Sequence, residues 1–359
     1  NAGIQCRRGK RPRRKKSGFL SFRILWALYR AARSLPAHDL VVSMTDPPML
    51  GWAAQKVAKR QKSAHIHWVQ DLYPDLLPIL GISPPKWIYN ILKRMSRNFL
   101  KSCDKIVVIG RDMARYLIDE GIAAGKISVI PNWPNMEILY KTSTGLKHTA
   151  SDADSAKSPK NGKGVNGVNG YRKSVNGSSK RPEKDITGLK PHQEPIYNLF
   201  KDHNNPRFRI LYAGTIGMAH PIDTILDAAE KLDKDNPEIE FVFVGDGPGF
   251  EKIAEQRAFR DIQNIRLIPY QPAHRLRELM ESGDIHIISM REEGAGLLVP
   301  SKIYSALAAG RPTIFLGPST SEVAEILRDF KAGEVVKPGD VDGLVKLIKH
   351  YRYDSQAWF

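Results

Sequence analysis

Cysteines are few in this sequence and long apolar runs are absent, and both features narrow what the protein can be. Its 359 residues include two cysteines, Cys6 and Cys103, with no C-x-x-C pair and no histidine at metal-ligand spacing. This excludes a disulfide scaffold and favours a reducing compartment, which indicates the cytoplasm. No apolar stretch reaches the roughly 18–20 residues of a membrane-spanning helix. Three arginines interrupt the stretch 18–35, so it is a poor signal peptide.

Acidic residues are missing from the first 38 positions of a chain whose formal net charge is +17. Eleven cations precede the first acid, Asp39, so much of the basic excess is local. We interpret residues 1–17 as a basic arm that attracts polyanions. Aromatic residues at helical spacing follow it, namely Phe19, Phe22, Trp26 and Tyr29. An anionic membrane surface is the preferred partner, a packed first helix with a solvated tail is the second hypothesis, and nucleic acid is the least favoured.

Short apolar runs alternate with amphipathic stretches, which is typical of parallel α/β units. The predicted strands are 39–43, 64–69, 105–109, 127–130, 208–212, 240–244, 265–268, 285–289, 312–316 and 333–336. The predicted helices include 49–61, 85–101, 111–120, 222–232, 273–281, 302–309 and 320–331. Four units follow: the arm 1–17, an α/β domain over 18–140, a linker insertion over 141–200, and a second α/β domain over 201–359. The insertion is poor in large apolar residues and repeats Val-Asn-Gly, so we expect disorder there.

Three polar segments follow predicted strands of the second domain, where parallel sheets bind ligands. The first is Ala213-Gly214-Thr215-Ile216-Gly217 and the second is Gly245-Asp246-Gly247-Pro248. Glycines let the backbone approach a phosphate closely, although tight turns between strands and helices need glycine too. In the third segment Ser301 is an expected N-cap and Lys302 lies in the first helical turn, where a cation opposes the helix dipole. An anionic ligand would explain that lysine, and a solvated lysine is the alternative.

Taken together, these motifs resemble glycosyltransferase family 4. The motifs are Tyr-Ala-Gly-Thr-x-Gly, Val-Gly-Asp-Gly-Pro and Pro-Ser-Lys-Ile-Tyr-x-x-Leu-Ala-Ala-Gly-Arg-Pro. In the first half, residues 43–48, 67–74 and 129–133 resemble its colanic-acid-type fucosyltransferase branch. The resemblance implies the GT-B fold, in which two Rossmann-like doubly wound domains face a cleft. It also implies retaining, metal-independent transfer from a UDP- or GDP-sugar, with no cofactor, to a lipid-linked or other glycan acceptor at the inner face of the cell membrane.

The resemblance also implies roles for individual residues. The donor diphosphate would lie against Gly214, Thr215, Gly217, Ser301 and Lys302, and Tyr270 would lie near the base. Gly245, Asp246 and Ser305 complete the expected donor-binding set. Asp71 and Glu293 are the expected catalytic residues: Asp71 would polarise the acceptor hydroxyl and Glu293 would lie near the sugar. Asp71 could instead cap the following turn, and His65 and His67 are expected to have structural roles.

Some departures from the family pattern leave other functions open. Leu297 and Ser305 occupy the positions of a family pair of glutamates, and a basic pair of the family is missing, with His220 in that neighbourhood. The family's opening strands should precede residue 18 and residues 1–17 do not supply them, so we expect either a fragment or an incomplete first domain in this chain, which begins with Asn1 rather than Met. An inactive nucleotide-sugar-binding or scaffold protein, or a sugar-nucleotide epimerase with the same fold, is therefore an alternative.

The arm generates a first prediction. The full chain should bind vesicles that contain anionic lipid, and salt should release it, because each cation near the surface contributes about 1 kcal/mol. Serine at Phe19, Phe22 and Trp26 should abolish the salt-resistant fraction of binding. Alanine at Arg11, Arg13 and Arg14 should instead weaken mainly the salt-sensitive fraction. Vesicle sedimentation across a salt series measures both, and equal binding to neutral and anionic vesicles would contradict electrostatic docking.

Overall fold

A computed structural model describes residues 30, 34, 36–134, 207–217 and 219–354. Residues 1–17, nearly all of 18–35 and the whole insertion 141–200 lie outside these ranges. The predictions made for the arm, the aromatic stretch and the insertion therefore stay predictions.

The first domain is a parallel sheet with helices between its strands. The strands are β1 (Leu40–Met44), β2 (Ala64–Val69), β3 (Lys105–Val108) and β4 (Ile127–Val129), and the described helices are α1 (Leu50–Gln61), α2 (Lys86–Ser102) and α3 (Arg111–Asp119). The sheet order is β1-β2-β3-β4, and every pair is parallel. The predicted strands and helices of this half are confirmed to within about two residues at their ends.

The second domain is a six-stranded parallel sheet. Its strands are β5 (Phe208–Ala213), β6 (Ile239–Val244), β7 (Ile265–Ile268), β8 (Ile285–Ser289), β9 (Thr313–Leu316) and β10 (Gly333–Val336). Its described α-helices are α4 (Asp223–Asp233), α5 (Pro248–Arg260), α6 (Leu276–Glu281), α7 (Lys302–Ala308), α8 (Glu322–Phe330) and α9 (Val341–Tyr353). The order β10-β9-β8-β5-β6-β7 is that of a doubly wound sheet: strands are added towards one edge from β5 to β7 and towards the other edge from β8 to β10, so the strand order reverses between β5 and β8. A crevice opens beyond the carboxyl ends of the strands at such a reversal.

Local sequence explains most of these elements, and it explains one difference from the predicted ends. Every residue of β6 is buried, as expected for a central strand covered on both faces. Helix α8 begins at Glu322 rather than at 320, because the Ser321 hydroxyl accepts the Ala324 N–H as an N-cap. Ser301 does occupy the N-cap position of α7, but its side chain makes no capping hydrogen bond. The hydroxyl that the sequence assigns to capping therefore stays available to a ligand.

Two large apolar clusters hold the described residues together. One belongs wholly to the second domain, between its sheet and helices that include α4 and α9. The other is shared: Leu72, Ile106 and Leu117 of the first domain belong to the same cluster as Val299 and Val323 of the second. The two domains therefore share a continuous apolar core rather than a purely polar contact.

Polar contacts between the domains surround that shared core. The backbone N–H of Arg111 donates to Glu322 Oε2 at 2.6 Å, and the Arg111 guanidinium bonds the same carboxylate at 3.1 Å. Arg111 also reaches Asp329 on α8, at 2.5 Å. In a second contact the Gly296 N–H donates to Asp112 Oδ2 at 3.0 Å, and Leu72 N–H donates to Leu297 O at 2.9 Å. Glu322 is only 4% exposed, so its charge depends on these partners.

One face of the edge strand β1 is open in the described structure. Leu40, Val42 and Met44 point to the same side of the sheet and are 46%, 55% and 44% exposed. Val129 and Ile130, at the other edge of this sheet, are also exposed apolar residues. Across the described residues, no helix is both long and apolar enough to cross a membrane.

The contact between Arg111 and Glu322 generates a second prediction. Glu322→Gln keeps the shape of the side chain but removes its charge, so it should lower the free energy of unfolding by about 1–3 kcal/mol. Asp342→Asn is the matched control, because Asp342 forms an exposed pair with Lys231 and such pairs contribute little. Urea unfolding followed by circular dichroism measures both changes, and equal shifts for the two variants would contradict a structural role for the interdomain carboxylate.

Candidate functional site

A cavity of about 220 Å³ opens at the carboxyl ends of β5 and β6, near the switch point of the second sheet. It brings together five residues that the sequence assigns to donor binding: Gly214, Tyr270, Ser301, Lys302 and Ser305. Apolar residues such as Leu276, Leu279 and Met280 close its other sides. The cavity is thus lined by residues that are up to about ninety positions apart in the chain.

The two glycine loops pack directly against each other beside this cavity. The Gly214 N–H donates to Val244 O at 2.8 Å, and Ile216 N–H donates to Asp246 O at 3.1 Å. A Cβ on Gly245 would lie 2.3 Å from Gly214 O, so a larger residue cannot fit without moving the backbone. Gly214 has φ +113°, and a Cβ there would lie 3.0 Å from Lys302 Cε. The glycines therefore let the loops approach each other and the lysine.

Lys302 is the dominant electrostatic feature of the cavity. Its ammonium lies 5.5 Å from the ring centre of Tyr212, and within the described ranges it forms no hydrogen bond or ion pair. Burial lowers the pKa of Lys302 to about 8. A buried cation without a carboxylate partner is unfavourable, and an anion bound in the cavity would supply the missing partner.

His220 lies next to this lysine and does not replace the basic pair of the family pattern. Its Nδ1 donates to Ser289 O at 2.6 Å. Burial, and then the charge of Lys302, lower the pKa of His220 to about 4. His220 is therefore neutral at pH 7, and it orients the loop after β5 without adding positive charge.

The other residues that the sequence assigns to the donor and sugar side lie at the rim of the cavity or outside it. The Thr215 hydroxyl bonds the Tyr270 hydroxyl at the rim of the cavity. Asp246 Oδ1 accepts the Gly247 N–H at 2.6 Å, so this carboxylate stabilises its own loop. Gly217 and Glu293 do not line the cavity in the described structure, and Glu293 is exposed on the short helix Glu292–Gly294.

On the first domain Asp71 follows β2 at its carboxyl end. Thr45 Oγ1 accepts the N–H groups of Gln70 and Asp71 at 3.1 and 3.3 Å, which ties the loops after β1 and β2 together. Burial, and then the nearby charge of Asp46, raise the pKa of Asp71. The Asp71 carboxylate makes no turn-capping hydrogen bond among the described residues, so the capping alternative finds no support.

Sequence reasoning did not single out Asp46 for a role. Asp46 comes two residues after β1, and Asp71 comes two residues after the neighbouring β2, with Met44 paired to Trp68. The same offset after adjacent parallel strands places two carboxylates at one edge of the sheet. That equal spacing is the signal that could have identified the pair.

His65 and His67 are buried and hydrogen-bonded, as the sequence predicts. Ser43 Oγ lies 2.8 Å from His65 Nε2 and 2.9 Å from His67 Nδ1. Burial lowers the pKa of His67 to about 4. Cys103 is fully buried and packs beside His65, with a pKa raised to about 12 by burial, so it is not a nucleophile.

Two family models match the chain, one on each domain. Residues 2–137 match the model described as Glycosyltransferase Family 4, and residues 198–355 match Glycosyl transferases group 1. The first domain thus matches glycosyltransferase family 4, and the second matches the group 1 glycosyl transferases. This confirms the resemblance that the motifs indicated.

Curated relatives agree with this assignment. WcaI of Escherichia coli (strain K12), whose name describes a colanic acid biosynthesis glycosyl transferase, is 25% identical over 300 residues, which is 82% of this chain and 61% of that protein. WbjE of Pseudomonas aeruginosa, named as a glycosyltransferase, is 23% identical over 311 residues, or 86% of this chain and 65% of that protein. The chain thus spans less than two thirds of the length of these relatives.

Solved structures show the GT-B fold. Anabaena HepE in complex with UDP-glucose has a TM-score of 0.59 at 14% identity, and the match covers 94% of this chain and 73% of that one. Sucrose-phosphate synthase from Thermosynechococcus elongatus has a TM-score of 0.62 at 14% identity, with 96% and 71% covered. The predicted architecture of two facing Rossmann-like domains is confirmed.

The two departures from the family-4 pattern have different surroundings. Leu297 is 7% exposed, and its carbonyl accepts the Leu72 N–H, so this position serves contact between the domains. Ser305 instead lines the donor-side cavity. A serine there is shorter than a glutamate and leaves more room in the cavity.

Lys302 generates a third prediction. Lys302→Ala should weaken binding of UDP by about 1–3 kcal/mol, because a charge-assisted contact to phosphate is lost. Binding should also take up a proton near pH 8, since the free lysine has a pKa of about 8 and a bound anion raises it. Affinity should therefore fall as pH rises above about 8. Titration calorimetry in buffers of different ionisation enthalpy measures the proton uptake.

Lys346→Ala on α9 is the control for that experiment, because Lys346 is exposed and lies outside the cavity. It should leave both affinity and proton uptake unchanged. An unaltered UDP affinity in Lys302→Ala, or proton uptake that persists in it, would contradict the role of the lysine.

Proposed function

We propose that this chain transfers a sugar, with retention of configuration and without a metal ion, from a UDP- or GDP-sugar to a lipid-linked glycan acceptor in cell-surface polysaccharide synthesis. The observation that carries the proposal is the half-buried, unpaired Lys302 beside two interlocked glycine loops at the switch point of the second sheet. The proposed location is the cytoplasmic face of the cell membrane, with the basic arm as the point of attachment.

On the donor side, each neighbouring group has a part that its position supports. The Lys302 ammonium would neutralise the diphosphate as it leaves, and Ser301 and Ser305 offer hydroxyls from the same cavity. Tyr270, 49% exposed at the rim, offers a ring on which a base can stack. In this proposal the half-buried Lys302 would supply the charge stabilisation that a metal ion provides in other transferases.

On the acceptor side, Asp71 is the group best placed to polarise a hydroxyl. Its environment holds the carboxyl less ionised than an exposed aspartate, because burial and Asp46 both raise its pKa. A raised pKa makes a carboxylate a better proton acceptor once it is ionised. Glu293 follows β8 on the opposite domain, and we assign it to the sugar side of the cleft.

The relatives support the substrate classes. WcaI is named for colanic acid biosynthesis, and HepE is described in complex with UDP-glucose. The first name points to a polysaccharide product and the second to a nucleotide-sugar donor, and these are the substrate classes to test first for this chain.

Activity gives a fourth prediction. Full-length protein incubated with radiolabelled UDP- or GDP-sugars and a bacterial lipid extract should form labelled glycolipid, and EDTA should not reduce the rate. Asp71→Asn should lower kcat by about a hundredfold or more, while the affinity for UDP stays within about twofold. The pH profile of kcat/KM should rise with ionisation of Asp71 and fall above about pH 8 with deprotonation of Lys302.

Asp119→Asn on α3 is the matched control, because Asp119 is exposed and remote from the loops after β1 and β2. Donor binding without turnover in any lipid fraction would favour the scaffold alternative. Loss of activity in EDTA with recovery in magnesium or manganese would overturn metal independence.

A further inference from the structure

A second cavity, of about 210 Å³, lies in the first domain between α1 and α2. Its walls are largely apolar, with Leu77, Leu92, Met95 and Phe99 prominent and Trp52 at the side of α1. It also contains Asp71, the residue assigned to the acceptor hydroxyl. The carboxylate assigned to the acceptor hydroxyl therefore lies in a cavity whose walls are mostly apolar. A polar sugar alone would make few favourable contacts with such walls.

The apolar wall of this cavity continues onto the surface along one stripe of α2. Trp87, Ile91 and Met95 are four residues apart, so they share a helix face. Met95 lines the cavity, whereas Ile91 is 50% and Trp87 is 67% exposed. Exposed large apolar residues of this kind mark a binding surface when they join an apolar pocket.

Cations flank this stripe and the cavity. Lys86 and Arg94 are exposed on α2, and Lys56 Nζ lies 5.9 Å from the ring centre of Trp52. Positive charge beside an apolar entrance suits a ligand that combines a hydrocarbon chain with an anionic head.

We infer that this cavity binds the hydrocarbon chain of a phosphate-bearing lipid that carries the acceptor, and that the stripe Trp87–Ile91–Met95 is its entrance. The inference rests on the proposed function, because it places the lipid of the acceptor beside Asp71. A chain inserted between α1 and α2 holds the head of the lipid at the carboxyl edge of the first sheet, where the hydroxyl to be glycosylated meets Asp71.

The floor of the cavity is compatible with a hydrocarbon ligand. His67 lines it, and burial keeps this imidazole uncharged near neutral pH. A Cβ on Gly51 would lie 2.5 Å from Phe99 Cζ and 2.8 Å from His67 Cε1, so the glycine lets α1 approach the floor closely.

The test uses alkyl phosphates of increasing length, from butyl to octyl, at concentrations below micelle formation, titrated into the full-length protein. Affinity should increase with chain length by up to about fourfold per methylene, the factor that corresponds to about 0.8 kcal/mol for each buried CH₂. In Leu92→Gln/Met95→Gln this dependence on chain length should flatten, and octyl phosphate should bind at least tenfold more weakly than it binds wild type. Phe259→Gln, at a residue 83% exposed on the second domain, is the control and should bind as wild type does.

A second readout does not depend on folding of the double variant. A terminally brominated octyl phosphate should quench the fluorescence of Trp52 in the wild-type protein, because bromine quenches indoles in contact with it. Trp52→Phe should remove the quenched component.

Failure of this inference and failure of the proposed function are distinguishable. Affinity that is independent of chain length, or equal binding by the double variant, would overturn the lipid cavity, whereas UDP binding through Lys302 would still stand. Absence of UDP binding would overturn the donor assignment, whereas an alkyl-length dependence that the double variant loses would still support the cavity.

Discussion

The contact of residues 294–299 with the first domain is the constraint on which both halves of the site depend. Gly296 has φ +74°, its N–H bonds Asp112, and a Cβ there would lie 2.9 Å from Tyr116 Cβ. The next residue, Leu297, accepts the Leu72 N–H. Leu72 directly follows Asp71, and Leu297 precedes Lys302 by five positions. One backbone hydrogen bond therefore joins the segment that carries Asp71 to the segment that leads to Lys302, so a shift of this contact affects both segments.

The environments of Lys302 and Asp71 shift the pKa values of these two groups in opposite directions. Burial lowers the pKa of Lys302 and raises the pKa of Asp71, so in each domain the environment disfavours the charged form. In a stable structural ion pair each charge offsets the burial of the other, and neither of these groups has such a partner among the described residues. The protein thus holds two incompletely stabilised groups at the edges of its two sheets. In the proposed function, a bound anion on one side and an acceptor hydroxyl on the other would supply the missing interactions.

Periodicity and glycine placement were sufficient to predict most of the fold. Continuous apolar runs such as β6 identify buried parallel strands, and Gly214 and Gly245 mark the carboxyl ends of β5 and β6, where the close approach of two backbones needs glycine. Contacts between residues far apart in the chain could not be predicted in the same way. The bond of Arg111 to Glu322 and the union of Leu72 with Val299 in one core depend on how two domains meet. The cavity between α1 and α2 was missed for a similar reason, because Leu92 and Met95 have the same helical spacing that core residues have.

The open face of β1 has a consequence for the behaviour of the protein in solution. Leu40, Val42 and Met44 form an exposed apolar surface on an edge strand. Exposed apolar edge strands promote association between copies of a chain. A net charge of +17 opposes that association through long-range repulsion. Added salt screens the repulsion within about 8–10 Å but leaves the apolar attraction intact. Colloidal stability of this protein is therefore expected to decrease with ionic strength, the reverse of the salting-in of weakly charged proteins.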